Sequence, residues 1–243
     1  MFISPMLLQE STSPPEDYAN VITELKLDGV RLIYSNVSGT PKLFTRHSLE
    51  VTHLFPEVTK VPLPKGIVLD GELISVNSQN KPDFPRLMER FRSDKVNTTI
   101  PIQYVAFDLL FYKGKQITQL PLIKRKTLLN EVIPTDTITV VTSQWVEGNS
   151  KTYFDVVKDY DLEGIIVKKP QSKYQAGKRS KDWLKIINYK YRMGKRSELV
   201  GKETGLLLYN QVGYKLQHMK FKTQKNREKL YEKYRQFLKN NIS

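Results

Sequence analysis

The sequence has no cysteine and only three histidines among its 243 residues. Without cysteine, the chain forms no disulfide bond and has neither a thiolate nucleophile nor a cysteine-ligated zinc site. Three scattered histidines do not favour a histidine-rich metal centre either. These absences exclude several common classes of catalytic and metal-binding site.

Long apolar runs are also absent, and no segment approaches the length needed to cross a bilayer. The first eight residues, Met1 to Leu8, have no basic region and contain Pro5. They therefore do not resemble a secretory signal peptide. We expect a soluble intracellular protein without a membrane partner.

Acidic residues are outnumbered, with 25 Asp and Glu against 39 Lys and Arg, and the formal net charge is +14. This balance favours a polyanionic partner such as nucleic acid, and a basic surface without a partner is the alternative. Residues 191–243 are the most basic part, with 13 basic and 4 acidic residues and a net charge of +9. This tail would bind a phosphate backbone without reading its sequence, or would only keep the protein soluble.

The sequence contains many short β-prone runs and a few helical patterns. Strands are predicted at 31–35, 42–45, 67–75, 104–112, 138–142, 161–170 and 183–187, and helices at 83–93, 121–133 and 150–160. Residues 9–20 are polar and contain two prolines, which predicts an irregular lead-in. In the basic tail, strands at 197–202, 205–209 and 214–217 would precede a helix at 225–240.

Lys26 follows the β-prone run 21–25 and precedes Asp28-Gly29, a dipeptide that turns the chain tightly. A lysine at a strand end that borders a cleft can act as a covalent nucleophile when part of its population is neutral. A solvated lysine in a hairpin turn is the more ordinary interpretation of this pattern alone. We expect Arg31 and Arg46 near the end of the same sheet, where they would hold phosphates or form surface charge.

Charged residues interrupt several otherwise apolar strands. Glu72 needs a sugar hydroxyl, a metal or a cation as its partner, because an unpaired buried carboxylate is costly. Glu163 precedes the strand that carries Lys168, and a bulge at Gly164 would bring both side chains to one site. Lys185 lies in the middle of the last predicted strand. Buried charges of this kind cluster where a ligand supplies the counter-charge.

In this order, the segments resemble the covalent nucleotidyltransferases, most closely the ATP-dependent DNA ligases of the compact kind found in bacteriophage and in bacterial end-joining enzymes. The matching pieces lie within residues 6–185 and are Lys26-Leu27-Asp28-Gly29-Val30-Arg31, Thr45-Arg46, Asp70-Gly71-Glu72, Phe107-Asp108-Leu109-Leu110, Glu163-Gly164-Ile165-Ile166-Val167-Lys168 and Trp183-Leu184-Lys185. Six elements in the family's order make a specific signal. Only 25 residues precede Lys26, which favours ATP over NAD, because NAD-dependent ligases carry an extra N-terminal module.

The resemblance implies an α+β fold with a two-layered, antiparallel-sheet nucleotidyltransferase (adenylation) domain at residues 1–190. Residues 191–243 would form a truncated or degenerate OB-fold-like tail, since these 53 residues are fewer than the family's OB-fold domain has. Lys26 would attack the α-phosphorus of ATP, expel pyrophosphate and carry AMP as a phosphoramidate. AMP would then pass to the 5′-phosphate of nicked double-stranded DNA, and the 3′-hydroxyl would displace it to seal the strand.

The other site residues take their roles from the same resemblance: Glu24 reads the adenine edge, Phe107 stacks on adenine, Arg31 and Glu72 hold the ribose, Lys168 and Lys185 contact the α-phosphate, Arg46 binds the nick 5′-phosphate, and Glu163 and Glu72 bind the metal. An ordinary core position is the alternative for Phe107. The implied cofactors are ATP and Mg²⁺, with Mn²⁺ as a substitute. The implied protein is a monomer that acts on nicked duplex DNA in the cytoplasm of a bacterial or phage-infected cell, in replication, repair or recombination.

Two departures from the family's pattern leave alternatives open. Ile187 stands where the family often has the second lysine of Lys-x-Lys, so either Lys185 suffices or Lys190 contributes. The segment 227–229 weakly resembles the last OB-fold motif, although a helix surface is the preferred interpretation. A DNA-binding ligase relic deficient in self-adenylylation, and an RNA ligase or RNA-end nucleotidyltransferase, are therefore the alternative functions.

Overall fold

The computed structural model describes residues 1–15, 20–77, 82–93 and 96–188, together with the backbone of three strands between residues 196 and 219. The chain divides into two compact units, Met1–Asn188 and Tyr189–Ser243. The predicted helix at 225–240, the segment 227–229 and Lys190 lie outside the described residues.

The strands of the first unit are β1 (Leu7–Ser11), β2 (Ile22–Leu25), β3 (Val30–Asn36), β4 (Lys42–Thr45), β5 (Ile67–Ile74), β6 (Gln103–Tyr112), β7 (Lys115–Gln116), β8 (Val140–Thr142), β9 (Trp145–Glu147), β10 (Gly164–Lys168) and β11 (Arg179–Ile187). Its helices are α1 (Pro56–Lys60), α2 (Phe84–Phe91), α3 (Leu122–Val132) and α4 (Ser150–Asp159), with a 3₁₀ turn at Thr52–Leu54. In the second unit, β12 (Arg196–Val200), β13 (Gly205–Tyr209) and β14 (Lys215–Met219) form an antiparallel sheet.

The first unit contains two sheets. One has the strand order β1-β11-β10-β2-β9, and the other has the order β4-β3-β5-β6-β7, with β8 beside β6. All pairs are antiparallel except β1 with β11 and β6 with β8. The α+β class and the mostly antiparallel sheets are confirmed.

The two sheets share a buried apolar cluster. Ile22 and Trp183 from the five-stranded sheet pack with Ile33, Val68 and Leu110 from the six-stranded sheet. Burying one face of each sheet against the other leaves the strand ends at the rim of this layer free to carry polar groups. The predicted functional residues lie on these strands and at their ends.

The helices begin close to where the sequence predicts. Asp83 precedes α2, and its carboxylate accepts a hydrogen bond from the backbone N–H of Arg86 at 3.1 Å. Such a bond satisfies a donor that the first helical turn would leave unpaired. Pro121 directly precedes α3, a position where its missing N–H costs nothing.

Three local predictions were wrong. Residues 9–11 are not irregular, because they complete β1, which pairs in parallel with β11. Lys26 does not share a sheet with Arg31 and Arg46: β2 belongs to the five-stranded sheet, whereas β3 and β4 belong to the other. The third error is the bulge at Gly164, since β10 pairs in unbroken register with both of its neighbours.

Candidate functional site

Lys26 lies directly after β2 and faces the residue that precedes β10. Its Nζ donates a hydrogen bond to Oε2 of Glu163 at 2.8 Å, and both side chains are mostly buried. The backbone N–H of Lys26 also donates to the carbonyl of Gly164 at 2.9 Å. The predicted nucleophile and a predicted metal ligand are therefore in direct contact.

Two glycines of the matching segments allow this close approach. A Cβ on Gly29 would lie 2.3 Å from the carbonyl oxygen of Leu73, and one on Gly164 would lie 2.2 Å from that of Ile186. Gly164 also has a φ of +152°, which side-chain-bearing residues rarely adopt. Glycine is therefore required where the chain passes from Lys26 to β3 and where it enters β10.

Glu72 lies on β5 opposite Arg31 of β3 and is partly buried. Burial raises the pKa of Glu72 to about 8; Lys26 and Arg31 oppose this rise, and the carboxylates of Glu163 and Asp70 add to it. The carboxyl of Glu72 therefore holds its proton more strongly than a solvated carboxyl does.

Arg31 is held by the buried carboxylate of Asp70. Its Nε donates to Oδ1 at 2.9 Å and its Nη2 donates to Oδ2 at 2.5 Å. Burial alone would lower the pKa of Arg31, but the Asp70 carboxylate outweighs it and raises that pKa above its ordinary value. A bidentate pair of this kind fixes the plane of the guanidinium group.

Phe107, on β6, lies between cations from both sheets. The guanidinium carbon of Arg31 is 5.3 Å from the ring centroid, and Nζ of Lys168 is 4.5 Å from it. The ring meets Trp183 edge-on, with centroids 6.4 Å apart. The ring is partly buried, so it combines a core contact with a face directed toward positive charge.

Glu24, Lys126 and Lys168 form a buried charged group that we call the Glu24 cluster. Lys168 Nζ lies 2.5 Å from one carboxylate oxygen of Glu24, and Lys126 Nζ contacts the other. All three side chains are 3% exposed or less. Burial alone would raise the pKa of Glu24, but the two lysines outweigh it and lower that pKa. Burial lowers the pKa of Lys168. The Glu24 carboxylate opposes this decrease, whereas the nearby ammonium of Lys126 adds to it.

Lys185 and Arg46 are the two remaining predicted site residues, and their surroundings differ. Lys185, on β11, forms an ion pair of 3.0 Å with Glu10 on the neighbouring strand β1. Ile187 is buried, with 1% of its surface exposed, so the place of the family's second lysine is part of the core.

Arg46 is exposed in the turn after β4, where its Nε donates to His47 at 2.9 Å. No contact among the described residues joins Arg46 to the other predicted residues.

Sequence reasoning assigned no functional role to Lys126 or Tyr174. A signal for Lys126 was present, because Arg125 and Lys126 fall three and four residues after Leu122 and share the buried face of α3 with Leu129. Charged residues at apolar positions of a helix point to buried partners. Tyr174 lies in the long connection between β10 and β11, where no periodic pattern marks it.

The carboxylates near Lys26 would bind a hard divalent cation only if a bound substrate supplied further oxygen ligands. In the described part of the chain, no group of three or more histidine, cysteine or acidic side chains is arranged to hold a metal. Glu72 and Glu163 supply two carboxylates at one place, and Mg²⁺ commonly binds to one or two carboxylates plus substrate phosphates.

Within the same described residues, no helix is long and apolar enough to span a bilayer.

Comparisons with known proteins show which family the chain is similar to. A family model described as "ATP dependent DNA ligase domain" matches residues 5–186. The SPbeta prophage-derived DNA ligase-like protein LigB of Bacillus subtilis is 46% identical over 191 residues, which are 79% of this chain and 69% of that protein. A DNA ligase of Methanosphaera stadtmanae is 31% identical, covering 87% of this chain but 42% of its own length.

Solved structures agree as well. A mycobacterial DNA ligase D complexed with ATP and MES is 25% identical and superposes with a TM-score of 0.64, over 76% of this chain and 60% of that one. The chain thus spans about two thirds of the Bacillus protein and less than half of the Methanosphaera protein. Because the ligase-domain match extends over most of its length, the chain belongs to the ATP-dependent DNA ligase family.

Proposed function

We propose that this protein is an ATP-dependent DNA ligase that acts through a covalent lysyl-AMP intermediate on Lys26. The observation that carries the proposal is the position of the Lys26 ammonium, 2.8 Å from Glu163 and near enough to Glu72 to lower the pKa of that carboxyl, in a chain that belongs to the ligase family. Lys26 becomes a nucleophile once its ammonium gives up a proton, and the Glu163 carboxylate is the acceptor within reach. Its Nζ then forms a bond to the α-phosphorus while the bond to pyrophosphate breaks.

The surrounding charges suit phosphoryl transfer, which needs positioning and charge neutralisation more than proton transfer. Lys168 and Lys185 would neutralise oxygens of the α-phosphate, and Phe107 would stack on the adenine. Arg31 and Glu72 would hold the ribose, and the Glu24 carboxylate would accept a hydrogen bond from the adenine edge. The lysines that surround Glu24 keep that carboxylate ionised, which an acceptor requires.

Glu163 and Glu72 would hold a divalent metal, Mg²⁺ or Mn²⁺ in its place, together with the phosphates of ATP. Bound there, the metal would neutralise charge on the phosphate oxygens. Glu72 must release its proton to bind a metal, because burial raises its pKa to about 8. Metal binding should therefore strengthen as pH rises toward 8.

The DNA steps involve groups farther from Lys26. The exposed Arg46 would bind the 5′-phosphate at a nick, and the basic tail of net charge +9 would hold the duplex backbone. We propose nicked duplex DNA as the substrate and a monomer in the cytoplasm as the working form. A contribution to replication, repair or recombination follows from strand sealing itself.

Labelling with α-³²P-ATP and Mg²⁺ tests the first step. The wild-type protein should acquire covalently bound label that is released by acid and stable to alkali, as a phosphoramidate is, and Lys26→Ala should acquire none. Lys151→Ala, which removes an exposed lysine of α4, should label like the wild type. Absence of label on the wild type would contradict self-adenylylation.

Nick sealing separates the proposed ligase from its alternatives. A ligase should seal both a 5′-phosphate nick, with ATP, and a pre-adenylylated nick, without it. A chain that seals only the pre-adenylylated nick would be deficient in self-adenylylation, and one that seals neither would be a DNA-binding relic. Replacing each nick strand by RNA in turn would identify an RNA-end enzyme.

A further inference from the structure

We propose that the hydroxyl of Tyr174 is a positioning group for the nucleotide site, because it fixes the carboxylate of Asp70 that in turn fixes Arg31. The inference rests on the proposed function, in which Arg31 holds the nucleotide. Tyr174 lies between β10 and β11 and is 2% exposed. Its hydroxyl reaches β5 of the other sheet, so one hydrogen bond joins the two halves of the site.

The direction of each hydrogen bond at Tyr174 follows from the donors available. The backbone N–H of Met6 donates to the Tyr174 hydroxyl oxygen at 2.9 Å. The hydroxyl has a single hydrogen, which it donates to Oδ2 of Asp70 at 2.6 Å. With the two bonds from Arg31, the Asp70 carboxylate accepts three hydrogen bonds. A buried carboxylate with three donors has one orientation.

The hydroxyl of Tyr174 keeps its proton under ordinary conditions. Burial raises the pKa of Tyr174 well above its usual value, and the negative charge of Asp70 raises it further. The hydroxyl therefore stays a donor throughout the pH range in which the protein would be assayed.

Arg31 pairs with the carboxylate that Tyr174 also holds, and not with its cross-strand neighbour. Asp70 and Glu72 are two residues apart on β5, and Glu72 is the direct cross-strand neighbour of Arg31. Both charge-assisted bonds of Arg31 go to Asp70, the carboxylate that Tyr174 also holds. Without the hydroxyl, Asp70 loses one of its three donors, so its carboxylate and the Arg31 guanidinium bound to it are held less firmly.

The ring of Tyr174 supports the same site from a second side. It meets Trp183 edge-on at 5.6 Å between centroids, and Trp183 meets Phe107 edge-on. Tyr174→Phe removes the hydroxyl and keeps these ring contacts. Any effect of this substitution therefore reports on the two hydrogen bonds of the hydroxyl, to Asp70 and from Met6, rather than on ring packing.

The test measures self-adenylylation in single-turnover experiments at varied ATP concentration. Tyr174→Phe should raise the ATP concentration for half-maximal rate about tenfold, because the Asp70 carboxylate that holds Arg31 loses one of its hydrogen-bond donors, and should change the limiting rate less. Asp70→Asn should act in the same direction, and the double variant should be no worse than the more affected single variant.

Tyr104→Phe is the matched control. Tyr104 is fully buried, and its hydroxyl donates to the backbone carbonyl of Leu32 at 3.1 Å, so a comparable bond is lost without loosening the Asp70 carboxylate. Its half-maximal ATP concentration should stay within about twofold of the wild-type value. Equal effects of both substitutions would overturn the inference and leave the ligase proposal standing.

A second readout does not depend on turnover. The Nε–H signal of Arg31 in ¹⁵N NMR spectra, assigned by its loss in Arg31→Lys, should exchange with water about tenfold faster in Tyr174→Phe than in the wild type. An unchanged exchange rate would refute the positioning role even if the wild-type protein failed to react with ATP.

Discussion

Two buried charged groups that lie close together differ in their balance of charge. Asp108 and Arg125 form a fully buried one-to-one pair, with bonds of 2.8 and 2.9 Å, and Arg125 donates further to the carbonyls of Leu120 and Ser172. The Glu24 cluster has two ammonium groups for one carboxylate. One group is electrically neutral, and the other carries an excess positive charge.

This difference separates a structural ion pair from the proposed nucleotide site. A buried pair whose hydrogen bonds are all made offers nothing to a ligand, and its removal mainly costs stability. A buried excess of positive charge is unfavourable until an anion arrives, so it favours a ligand that carries phosphate. The excess positive charge lies beside the ring of Phe107, whose centroid is 4.5 Å from Lys168 Nζ. In the proposed function, the phosphate of a nucleotide would neutralise this charge and its base would stack on the ring.

The largest expected effect comes from breaking the balanced pair. Arg125→Met leaves the Asp108 carboxylate buried without its cation and should lower the free energy of unfolding by about 3–5 kcal/mol. Urea denaturation measures the loss, and Lys124→Met, at the exposed neighbouring position, should change stability by less than about 0.5 kcal/mol. A loss below 1 kcal/mol would mean that Asp108 does not depend on this pair.

Removing a cation from the unbalanced cluster should act mainly on the reaction. Lys168→Met leaves Glu24 paired with Lys126, so stability should fall less than in Arg125→Met, while the rate of self-adenylylation should fall about 10²–10³-fold. Lys169→Met is the control, because that residue forms only an exposed ion pair with Asp182. If Lys168→Met lost much stability and kept the wild-type rate, the Glu24 cluster would be structural and the contrast with the Asp108–Arg125 pair would be wrong.

Glu72 should give the chain a pH dependence that neither buried group explains. Its folded-state pKa of about 8 lies above the unfolded value near 4.5, so the folded state binds the extra proton between these values. Stability should therefore decrease as pH rises from 4.5 to 8, by at most about 1.4 kcal/mol per pH unit.

In Glu72→Gln, this contribution to the slope should disappear, as seen in urea denaturation between pH 5 and 8. Glu89→Gln, at an exposed position of α2, should keep the wild-type slope. If the slope in Glu72→Gln matched the wild type, the raised pKa of Glu72 would be refuted.

The smallest effect is expected where the ion pair is open to solvent. Glu10→Gln removes the carboxylate that lies 3.0 Å from Lys185, and 45% of the Glu10 side chain is exposed. Stability should change by less than about 1 kcal/mol, since solvent screens such pairs. Half-maximal labelling should require slightly less ATP, because Lys185 is no longer shared with a carboxylate. A strong loss of labelling in Glu10→Gln would contradict this and show that Glu10 is needed for self-adenylylation.

The sequence predicted the elements more reliably than their arrangement. The apolar run that became β6 and the helical spacing of α3 are local patterns, and both were found within two residues of their predicted bounds. The placement of Arg31 and Lys26 in one sheet was wrong, because Asp28-Gly29 also suits a chain that crosses between layers. Local turn chemistry does not specify the next strand's partner.

For the candidate site, the ordered segments identified residues and the structure supplied their partners. Glu163 and Lys26 were both predicted, but their contact joins residues 137 positions apart. Lys126 was missed because a basic residue in a helix is usually on the surface. Ile187 was noticed as a departure, and only its burial explains why a lysine there would be costly.

The parallel pairing of β1 with β11 has a consequence for how the chain folds. Met6 bonds to a residue 168 positions later, and the five-stranded sheet needs both ends of the first unit. Contacts of such long range form slowly, because the intervening chain must be ordered first. At about 5–20 residues per second, a newly made Lys26 waits roughly 7–27 s for Glu163 to be synthesised. Until then the incomplete sheet has open strand edges, which makes the growing chain a target for chaperones.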